Sequence, residues 1–345
     1  MTQPPAPTKP HHTPTGFQNN YLGKVAKSGR EFWRWQYQRL RDGVPQAPAV
    51  PTPVQSPDLV FVHANAHAAA MRPAITWVGH ATMLVQANGL NVLLDPMFSA
   101  RASPVQFIGP QRAQAPGLSI VQLPAIDVVL ISHNHYDHLD KNSVLALAAR
   151  APAATLFLVP LGLKAWFTGL GIGNVKELDW WDSVVLNGTQ FHLAPVQHWS
   201  ARGVGDRNQT LWGGWAVLGP QLHWYFSGDA GYSQDFADTK AHFAAQQSTA
   251  QGGGFDLALI AVGAYEPRWF MREQHVNPAE AVRAHLDLGA KYSVGVHWGT
   301  FELTDEPLDQ PPKDLAAARL AAGLAAETFG VMAIGETRQV AARAP

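Results

Sequence analysis

Residues 133–138, with the sequence HNHYDH, place four strong metal ligands within six positions, directly after an apolar run. In an extended segment, side chains two positions apart point the same way, so His133 and His135 can bind one ion from the same side. Asp137 and His138 follow where the chain should turn, and they can face a second ion. Imidazole and carboxylate groups together favour zinc, with iron or manganese as further options.

Three more strand-like segments are each followed by a His or Asp, residue types that can bind metal ions. Residues 191–196 run into His198, residues 222–226 run into Asp229, and residues 292–296 run into His297. In α/β folds, sites gather at strand ends, because the connecting loops converge there. We therefore expect these side chains to meet the 133–138 run.

The elements that must position these residues have clear boundaries in the sequence. Alternating apolar residues predict strands at 75–78, 83–85 and 91–94, with a hairpin turn at Asn88-Gly89. Residues 127–131 predict a buried strand, and Asp140 then predicts the N-cap of a helix. Ahead of His297, a helix should begin after Asn277, with Pro278 and Glu280 in its first turn, and end at Gly289. This order predicts two sheets packed together with helices outside.

Composition narrows the class of protein. The chain has 345 residues, of which 46% are hydrophobic and 15% charged, and its net charge is −1. A balanced charge gives no general reason to expect nucleic-acid binding. There is no cysteine, so disulfides are excluded and a metal site must use His and carboxylates. The N-terminal sequence lacks the basic start and apolar run of a signal peptide, which predicts a cytoplasmic protein.

Residues 1–60 differ from the remainder, because residues 1–57 contain ten of the 26 prolines. Residues 4–14 predict a disordered tail and residues 45–57 an extended linker. Between them, residues 24–41 combine six basic residues with four aromatic ones and predict a short amphipathic helix. This basic-aromatic arm either packs on the main domain, residues 61–345, or makes peripheral contact with a membrane.

The sequence resembles the metallo-β-lactamase fold superfamily, and within it the phospholipases D that hydrolyse N-acyl-phosphatidylethanolamine, with their bacterial relatives. The similarity covers roughly residues 75–312 and lies in segments 77–82, 94–96, 132–140, 197–200, 211–215, 227–232, 263–271 and 297–301. The 133–138 run is specific only to the superfamily. Segments 263–271 and 297–301 are specific to a much smaller group of proteins within it. The resemblance implies an α/β fold, the metallo-β-lactamase-like αββα sandwich.

The resemblance also implies a site with two zinc ions. His133, His135 and His198 would bind the first ion, Asp137, His138 and His297 the second, and Asp229 would bridge them. In the family, a Tyr and a His at the positions of Tyr136 and His275 contact the substrate. Two adjacent metal ions can activate a water nucleophile and stabilise the oxygens of a displacement at phosphorus. Asp137 has a second candidate role, which is to orient the nucleophile or to carry a proton.

The implied function is a zinc-dependent phosphodiesterase of phospholipase D type, which would cleave N-acyl-phosphatidylethanolamine-like lipids into phosphatidic acid and N-acylethanolamine. Two alternatives stay open: a metal-dependent hydrolase of a soluble substrate, such as a sugar lactone or small phosphodiester, and a non-catalytic metal-stabilised binding protein. An apolar groove leading to the metals would favour the lipid. A homodimer is also left open as a partner.

Four other polar residues could each support the site or serve another purpose. Asp95 either supports a ligand His or forms a turn, and we expect His80 to support the site without being a ligand. Arg202 and Arg207 either meet a phosphate or pair with Asp206.

The remaining strand and helix histidines should be hydrogen-bonded or surface residues and not ligands: His192, His223 and His285. We expect Trp212 and Trp215 in the core or in the wall of the cleft.

Overall fold

A computed structural model describes residues 9–25, 27–45, 47–48, 50–151, 154–247 and 253–343. The strands are β1 (His12–Thr13), β2 (Gly16–Phe17), β3 (Ala74–Gly79), β4 (Thr82–Ala87), β5 (Leu90–Leu94), β6 (Val128–Leu130), β7 (Leu156–Pro160), β8 (Val175–Leu178), β9 (Ser183–Leu186), β10 (Thr189–Ala194), β11 (Gly214–Leu218), β12 (His223–Phe226), β13 (Leu257–Ala261), β14 (Tyr292–Val296), β15 (Phe329–Gly330) and β16 (Thr337–Gln339). The helices are α1 (Gly29–Asp42), α2 (Leu59–Ala66), α3 (Lys141–Arg150), α4 (Lys164–Gly169), α5 (Asp235–His242), α6 (Arg268–Met271), α7 (Pro278–Leu288) and α8 (Gln310–Ala321), with a 3-10 turn at Ile120–Gln122.

Two seven-stranded sheets form the centre of the molecule. One has the order β16-β3-β4-β5-β6-β7-β8, and the other the order β15-β14-β13-β12-β11-β10-β9. In each sheet, antiparallel hairpins lead into strands that run parallel, β5 to β8 in one and β12 to β15 in the other. The strands predicted around residues 75, 84, 92, 129, 193, 224 and 294 are all present.

Strand alternation separates the two faces of the first sheet. Trp77, Val92 and Leu130 belong to the large core cluster that also contains residues of the second sheet, such as Trp215 and Phe191. The alternate positions of the same strands pack in a second cluster with residues from helices α2, α3 and α4. Both faces are thus covered, as parallel strands require. This is the αββα sandwich that the sequence predicted.

Caps fix the helices that flank the site. The Asp140 side chain accepts hydrogen bonds from the backbone N–H groups of Asn142 and Ser143, so α3 begins directly after the 133–138 run. Asn277 and Glu280 form a capping box at the start of α7, and Gly289 ends that helix with a left-handed φ of 64°. The hairpin turn at Asn88-Gly89 also has positive φ at both positions. These predicted boundaries are confirmed.

The predicted disorder of residues 4–14 is wrong for residues 9–14, whereas residues 1–8 lie outside the described residues. His11 and His12 place their Nε2 atoms 2.6 and 3.0 Å from the carboxylate of Asp179, and Lys9 Nζ lies 2.9 Å from the same group. The β1–β2 hairpin follows, and the Phe17 N–H donates to the Asn208 carbonyl at 2.8 Å. The high proline content favoured a prediction of disorder. The segment is ordered because its polar side chains bind a buried carboxylate, Asp179.

Helix α1 covers most of the basic-aromatic arm, and one face of this helix packs on the main domain. Trp35 is 8% exposed, stacks on Phe270 with 4.9 Å between ring centres, and donates from Nε1 to Asp305 at 2.8 Å. Lys27 pairs with Glu273 at 2.8 Å. The boundary at residue 60 stays a prediction, because residues on both sides of it contact the rest of the structure.

Candidate metal centre

Four strand ends bring their side chains to one place. The loop after β6 carries His133, His135, Asp137 and His138, and single ligands follow β10, β12 and β14: His198, Asp229 and His297. Gly228 permits a close approach here, because its φ is 54° and an added Cβ would lie 2.6 Å from the Ser132 side chain. His297 itself has a φ of 61°, a conformation that non-glycine residues seldom adopt.

The first cluster consists of His133, His135, His198 and Asp229, whose ligand atoms all lie within 4.8 Å of one another. His135 Nδ1 is 2.8 Å from His133 Nε2 and 3.4 Å from His198 Nε2. The Oδ2 atom of Asp229 lies 3.8 Å from both Nε2 atoms. The predicted alternation of His133 and His135 therefore does place two imidazoles around one point.

The second cluster consists of His80, Asp137, His138 and His297, and Asp229 of the first cluster contacts two of its histidines. Asp229 Oδ1 is 3.1 Å from His297 Nε2, and its Oδ2 is 3.2 Å from His138 Nε2. Asp137 Oδ2 lies 3.2 Å from the same His297 atom and 3.4 Å from His138. His80 completes this group, with its Nε2 2.9 Å from Asp137 Oδ2. One carboxylate thus faces histidines of both clusters.

A hydrogen bond to the ring nitrogen that faces away from the first cluster sets the tautomer of His198. Its Nδ1 lies 2.8 Å from the carbonyl oxygen of Gln274, which can only accept a hydrogen bond. Nδ1 must therefore carry the proton, and the Nε2 lone pair is left pointing into the cluster. Such an outer contact also fixes the orientation of the ring.

Asp95 does the same for two further histidines. Its carboxylate accepts from the backbone N–H of Ser132 at 2.7 Å and from the Ser132 hydroxyl at 2.5 Å. That hydroxyl has then donated its one proton, so it accepts from His133 Nδ1 at 2.9 Å. His138 Nδ1 donates to Asp95 directly at 2.7 Å. The supporting role of Asp95 is the interpretation that the geometry favours over a turn-forming one.

The inward-facing atoms fit metal ions. His138 Nε2 and Asp229 Oδ1 are buried without a hydrogen-bond partner among the described residues. A metal ion can satisfy the lone pairs of neighbouring buried imidazole nitrogens and carboxylate oxygens together. The residues present therefore suit a metal centre.

The electrostatics of the two clusters differ in direction. Burial lowers the pKa of His135 to about 4, and it holds the pKa of His133 and His198 well below the usual value. Neutral imidazole is the form that binds metal. Burial also opposes a charge on His138, but the carboxylates facing it outweigh burial and raise its pKa well above the usual value. The second cluster therefore favours a positive charge.

An open cavity of about 470 Å³ lies over the clusters, and Asp229, His135 and Asp137 form part of its lining. Both predicted substrate residues line it. The Tyr136 hydroxyl donates to the carbonyl oxygen of Arg202 at 2.7 Å, and His275 Nδ1 lies 3.8 Å from Asp229 Oδ2. The remaining wall is largely apolar and includes Ala102, Trp199, Val204, Met271 and Leu303.

Arg202 supports the metal-binding loop. Its guanidinium donates to the carbonyl oxygens of Asn134 and Leu139 at 2.8 and 2.7 Å and lies over the Tyr136 ring. Arg207 lies over Trp199, 3.9 Å from the ring centre. Neither guanidinium pairs with Asp206, whose carboxylate instead accepts from backbone N–H groups, including that of Arg202.

The remaining strand and helix histidines lie outside both clusters. His192 Nε2 contacts Gln190 at 3.1 Å, His285 Nδ1 contacts the Ser293 hydroxyl at 2.7 Å, and His223 lies within β12. Trp212 and Trp215 are fully buried and donate to backbone carbonyl groups.

Sequence reasoning missed two supports of His198. The Gln274 carbonyl is a backbone group, so residue type gives no signal for it. Asn19, whose side chain bonds the backbone of His198, lies 179 positions away in the segment that was predicted to be outside the main domain. Ser132 had a signal, since it stands between a buried strand and the first ligand.

Comparisons with known proteins identify the family. A family model described as a beta-lactamase superfamily domain matches residues 90–298. The chain belongs to the metallo-β-lactamase superfamily. An uncharacterised protein of Mycobacterium tuberculosis is 42% identical over 278 residues, which cover 79% of this chain and 69% of the relative. The N-acyl-phosphatidylethanolamine-hydrolysing phospholipase D 1 of Caenorhabditis elegans is 42% identical over 248 residues, covering 69% and 67%.

Solved structures of the superfamily share the fold. The isothiocyanate hydrolase from Delia radicum gut bacteria superposes with a TM-score of 0.59 over 78% of this chain and 99% of its own, at 18% identity. The chain is a metal-dependent hydrolase of the superfamily and is related to phospholipases D. This follows from the family match, the named relatives and the two clusters of candidate ligands. No helix in the described residues is long and apolar enough to cross a membrane.

Proposed function

We propose that the protein is a zinc-dependent phosphodiesterase of phospholipase D type that acts on N-acyl-phosphatidylethanolamine-like lipids. Water would replace the ethanolamine oxygen at phosphorus, which yields phosphatidic acid and N-acylethanolamine. The observation that carries the proposal is Asp229, a single carboxylate that faces the histidines of two ligand clusters at the base of an open cavity.

Under this proposal His133, His135, His198 and Asp229 hold one ion. Asp137, His138 and His297 hold the other, with Asp229 as the shared carboxylate. Bound zinc supplies an activated water at neutral pH and positive charge beside the phosphate. The wall residues Tyr136 and His275 orient the phosphate within the cavity. Asp137, whose Oδ2 contacts His80 Nε2 at 2.9 Å, is placed to orient the attacking water.

The cavity wall favours a lipid over a sugar or a small soluble ester. Val204, Met271 and Leu303 place aliphatic groups around the opening that leads to Asp229. Sugar sites need many hydrogen-bonding partners, whereas an acyl chain needs apolar surface. The relation to a phospholipase D of Caenorhabditis elegans supports the same substrate class.

Helix α1 supports peripheral membrane contact. Its inner face packs on the domain through Trp35, while Phe32, Trp33, Tyr37 and Leu40 are exposed. Exposed aromatic and aliphatic side chains beside basic ones are typical of interfacial helices. Trp35 stacks on Phe270, next to Met271 at the cavity wall, so α1 lies near the cavity. A cytoplasmic enzyme at the membrane surface, as monomer or homodimer, would fit this arrangement.

The test is a comparison of substrates on the purified, zinc-loaded protein. We expect release of N-acylethanolamine from N-acyl-phosphatidylethanolamine in mixed micelles, and much slower hydrolysis of lactones and of small soluble phosphodiesters. Turnover of a soluble ester at a higher kcat/KM than the lipid would overturn the substrate assignment in favour of a soluble-substrate hydrolase. Zinc binding without turnover of any ester would favour the binding-protein alternative.

A further inference from the structure

Asn19 lies in the N-terminal segment, residues 9–25, and it is almost completely buried. Its side-chain amide is held by four hydrogen bonds. Nδ2 donates to the carbonyl oxygens of His198 at 3.0 Å and Gly23 at 2.9 Å. Oδ1 accepts from the His198 N–H at 2.9 Å and from Trp212 Nε1 at 3.1 Å. An amide has two donor hydrogens and two acceptor lone pairs, so every one is used.

Two of these bonds join the same residue, His198. The Asn19 amide satisfies both the N–H and the C=O of His198, as a neighbouring β-strand residue would do. The His198 ring is held separately, by its Nδ1 contact with the Gln274 carbonyl. Main chain and ring are thus fixed from opposite sides, which leaves Nε2 directed at the first cluster.

The segment that carries Asn19 has its own anchors. Lys9, His11 and His12 surround Asp179 at one end. Asn20, the next residue along, donates from Nδ2 to Asp235 at 2.8 Å. Lys9 Nζ already occupies the side of Asp179 that a cation would need, so this group of histidines is an anchor and not another metal site.

We propose that Asn19 is a positioning residue for the metal ligand His198, and that the N-terminal segment is thereby part of the metal centre. The inference rests on the proposed ligand role of His198. It assigns a function to a residue that touches neither metal nor substrate. Only an amide offers both a donor and an acceptor at the reach that the His198 backbone requires.

The experiment measures zinc affinity by competition with a chromophoric chelator, together with the visible absorption spectrum of the cobalt-substituted protein. We expect Asn19→Ala to lower affinity about tenfold to a hundredfold, the range for loss of a contact that orients a ligand. The cobalt spectrum should shift, because the geometry around His198 changes. Asn20→Ala is the matched control, since it removes one hydrogen bond of the same segment without touching a ligand; it should leave affinity and spectrum unchanged.

Equal loss of affinity in Asn19→Ala and Asn20→Ala would overturn the inference, because it would mean that general loosening of the segment is responsible. So would a wild-type affinity and spectrum in Asn19→Ala. If that variant fails to fold, Asn19→Ser gives the same comparison, because a hydroxyl cannot span both backbone groups. His198→Ala separates the two proposals: unchanged zinc affinity there would refute the ligand assignment itself, whereas a loss confined to His198→Ala would refute only the role of Asn19.

Discussion

The Asp229 carboxylate is where the two ligand clusters meet, and this gives a first prediction at the scale of a residue. Asp229→Asn keeps the size of the side chain but replaces one oxygen by an amide and removes the negative charge. We expect turnover to collapse by several orders of magnitude and at least one metal ion to be lost. The fold should survive, because β12 ends before this residue. Activity, elemental analysis and circular dichroism measure the three effects.

His192→Ala is the control for that experiment, because His192 is a buried strand histidine outside both clusters. It should leave the metal content unchanged. Near-normal turnover in a folded Asp229→Asn protein would show that the carboxylate does not hold the ions together.

Tyr136 gives a second prediction, since it stands between ligands and lines the cavity. Tyr136→Phe keeps the ring, which lies under the Arg202 guanidinium, and deletes the hydroxyl. A hydrogen bond to a charged phosphate oxygen is worth roughly 1.5–3 kcal/mol, so kcat/KM should fall about tenfold to a hundredfold with the metal content intact. A loss of metal instead would mean that the hydroxyl serves the loop through its bond to the Arg202 carbonyl.

The sequence predicted the site residues to different degrees. The candidate ligands at 133–138 could be picked out because they are close in sequence and follow a strand. His198, Asp229 and His297 required strand ends to converge and a family resemblance to select them. Asn19 and the Gln274 carbonyl left no pattern, because their contacts with His198 cross 179 and 76 positions and use groups common to any loop.

Among the elements, α1 has one face bound and one exposed. We expect Trp33→Ala combined with Tyr37→Ala to weaken binding to anionic vesicles on the order of tenfold, because two interfacial aromatic groups are lost. Trp33 is 70% exposed, so stability should change little. Vesicle sedimentation measures the binding, and hydrolysis of a water-soluble phosphodiester should stay at the wild-type rate.

Leu320→Ala is the matched control, because Leu320 is an exposed apolar residue on another helix, α8. Equal vesicle binding by both variants would argue against a membrane role for α1. Point substitutions are preferable to deletion of the N-terminal region, since residues 9–25 contact the His198 loop and a truncated chain would lose that support as well.

For the whole molecule, the ions should contribute to stability. A ligand that binds only the folded state at a hundredfold excess over Kd adds about 2.7 kcal/mol per site. We expect chelation to lower Tm by several degrees and zinc to restore it, measured by calorimetry. The buried Oδ1 of Asp229 and Nε2 of His138 have no hydrogen-bond partner among the described residues, so a cation there would stabilise the fold. An identical Tm with and without bound zinc would contradict a structural contribution.

The strands and helices of the main domain were more predictable than the structure of the N-terminal residues. Apolar alternation and caps located the strands and α7, because core burial imposes periodicity on the sequence. Composition failed at residues 9–14, where prolines favoured a tail but His11, His12 and Lys9 meet Asp179. These contacts depend on a single buried acid, Asp179, which directly follows β8. No local sequence pattern predicts such a long-range contact.

The anchoring of residues 9–25 also sets an order of events during synthesis. This segment is synthesised well before its partners, because His198 lies 179 positions after Asn19 and Asp235 lies 215 positions after Asn20. At about 5–20 residues per second, the first interval lasts roughly 10–40 s. Throughout that time residues 9–25 cannot contact these partners. The 133–138 loop is therefore synthesised before the Asn19 side chain can bind the His198 backbone. Under the proposed role of Asn19, we expect the first cluster to reach its final geometry only after this segment has docked.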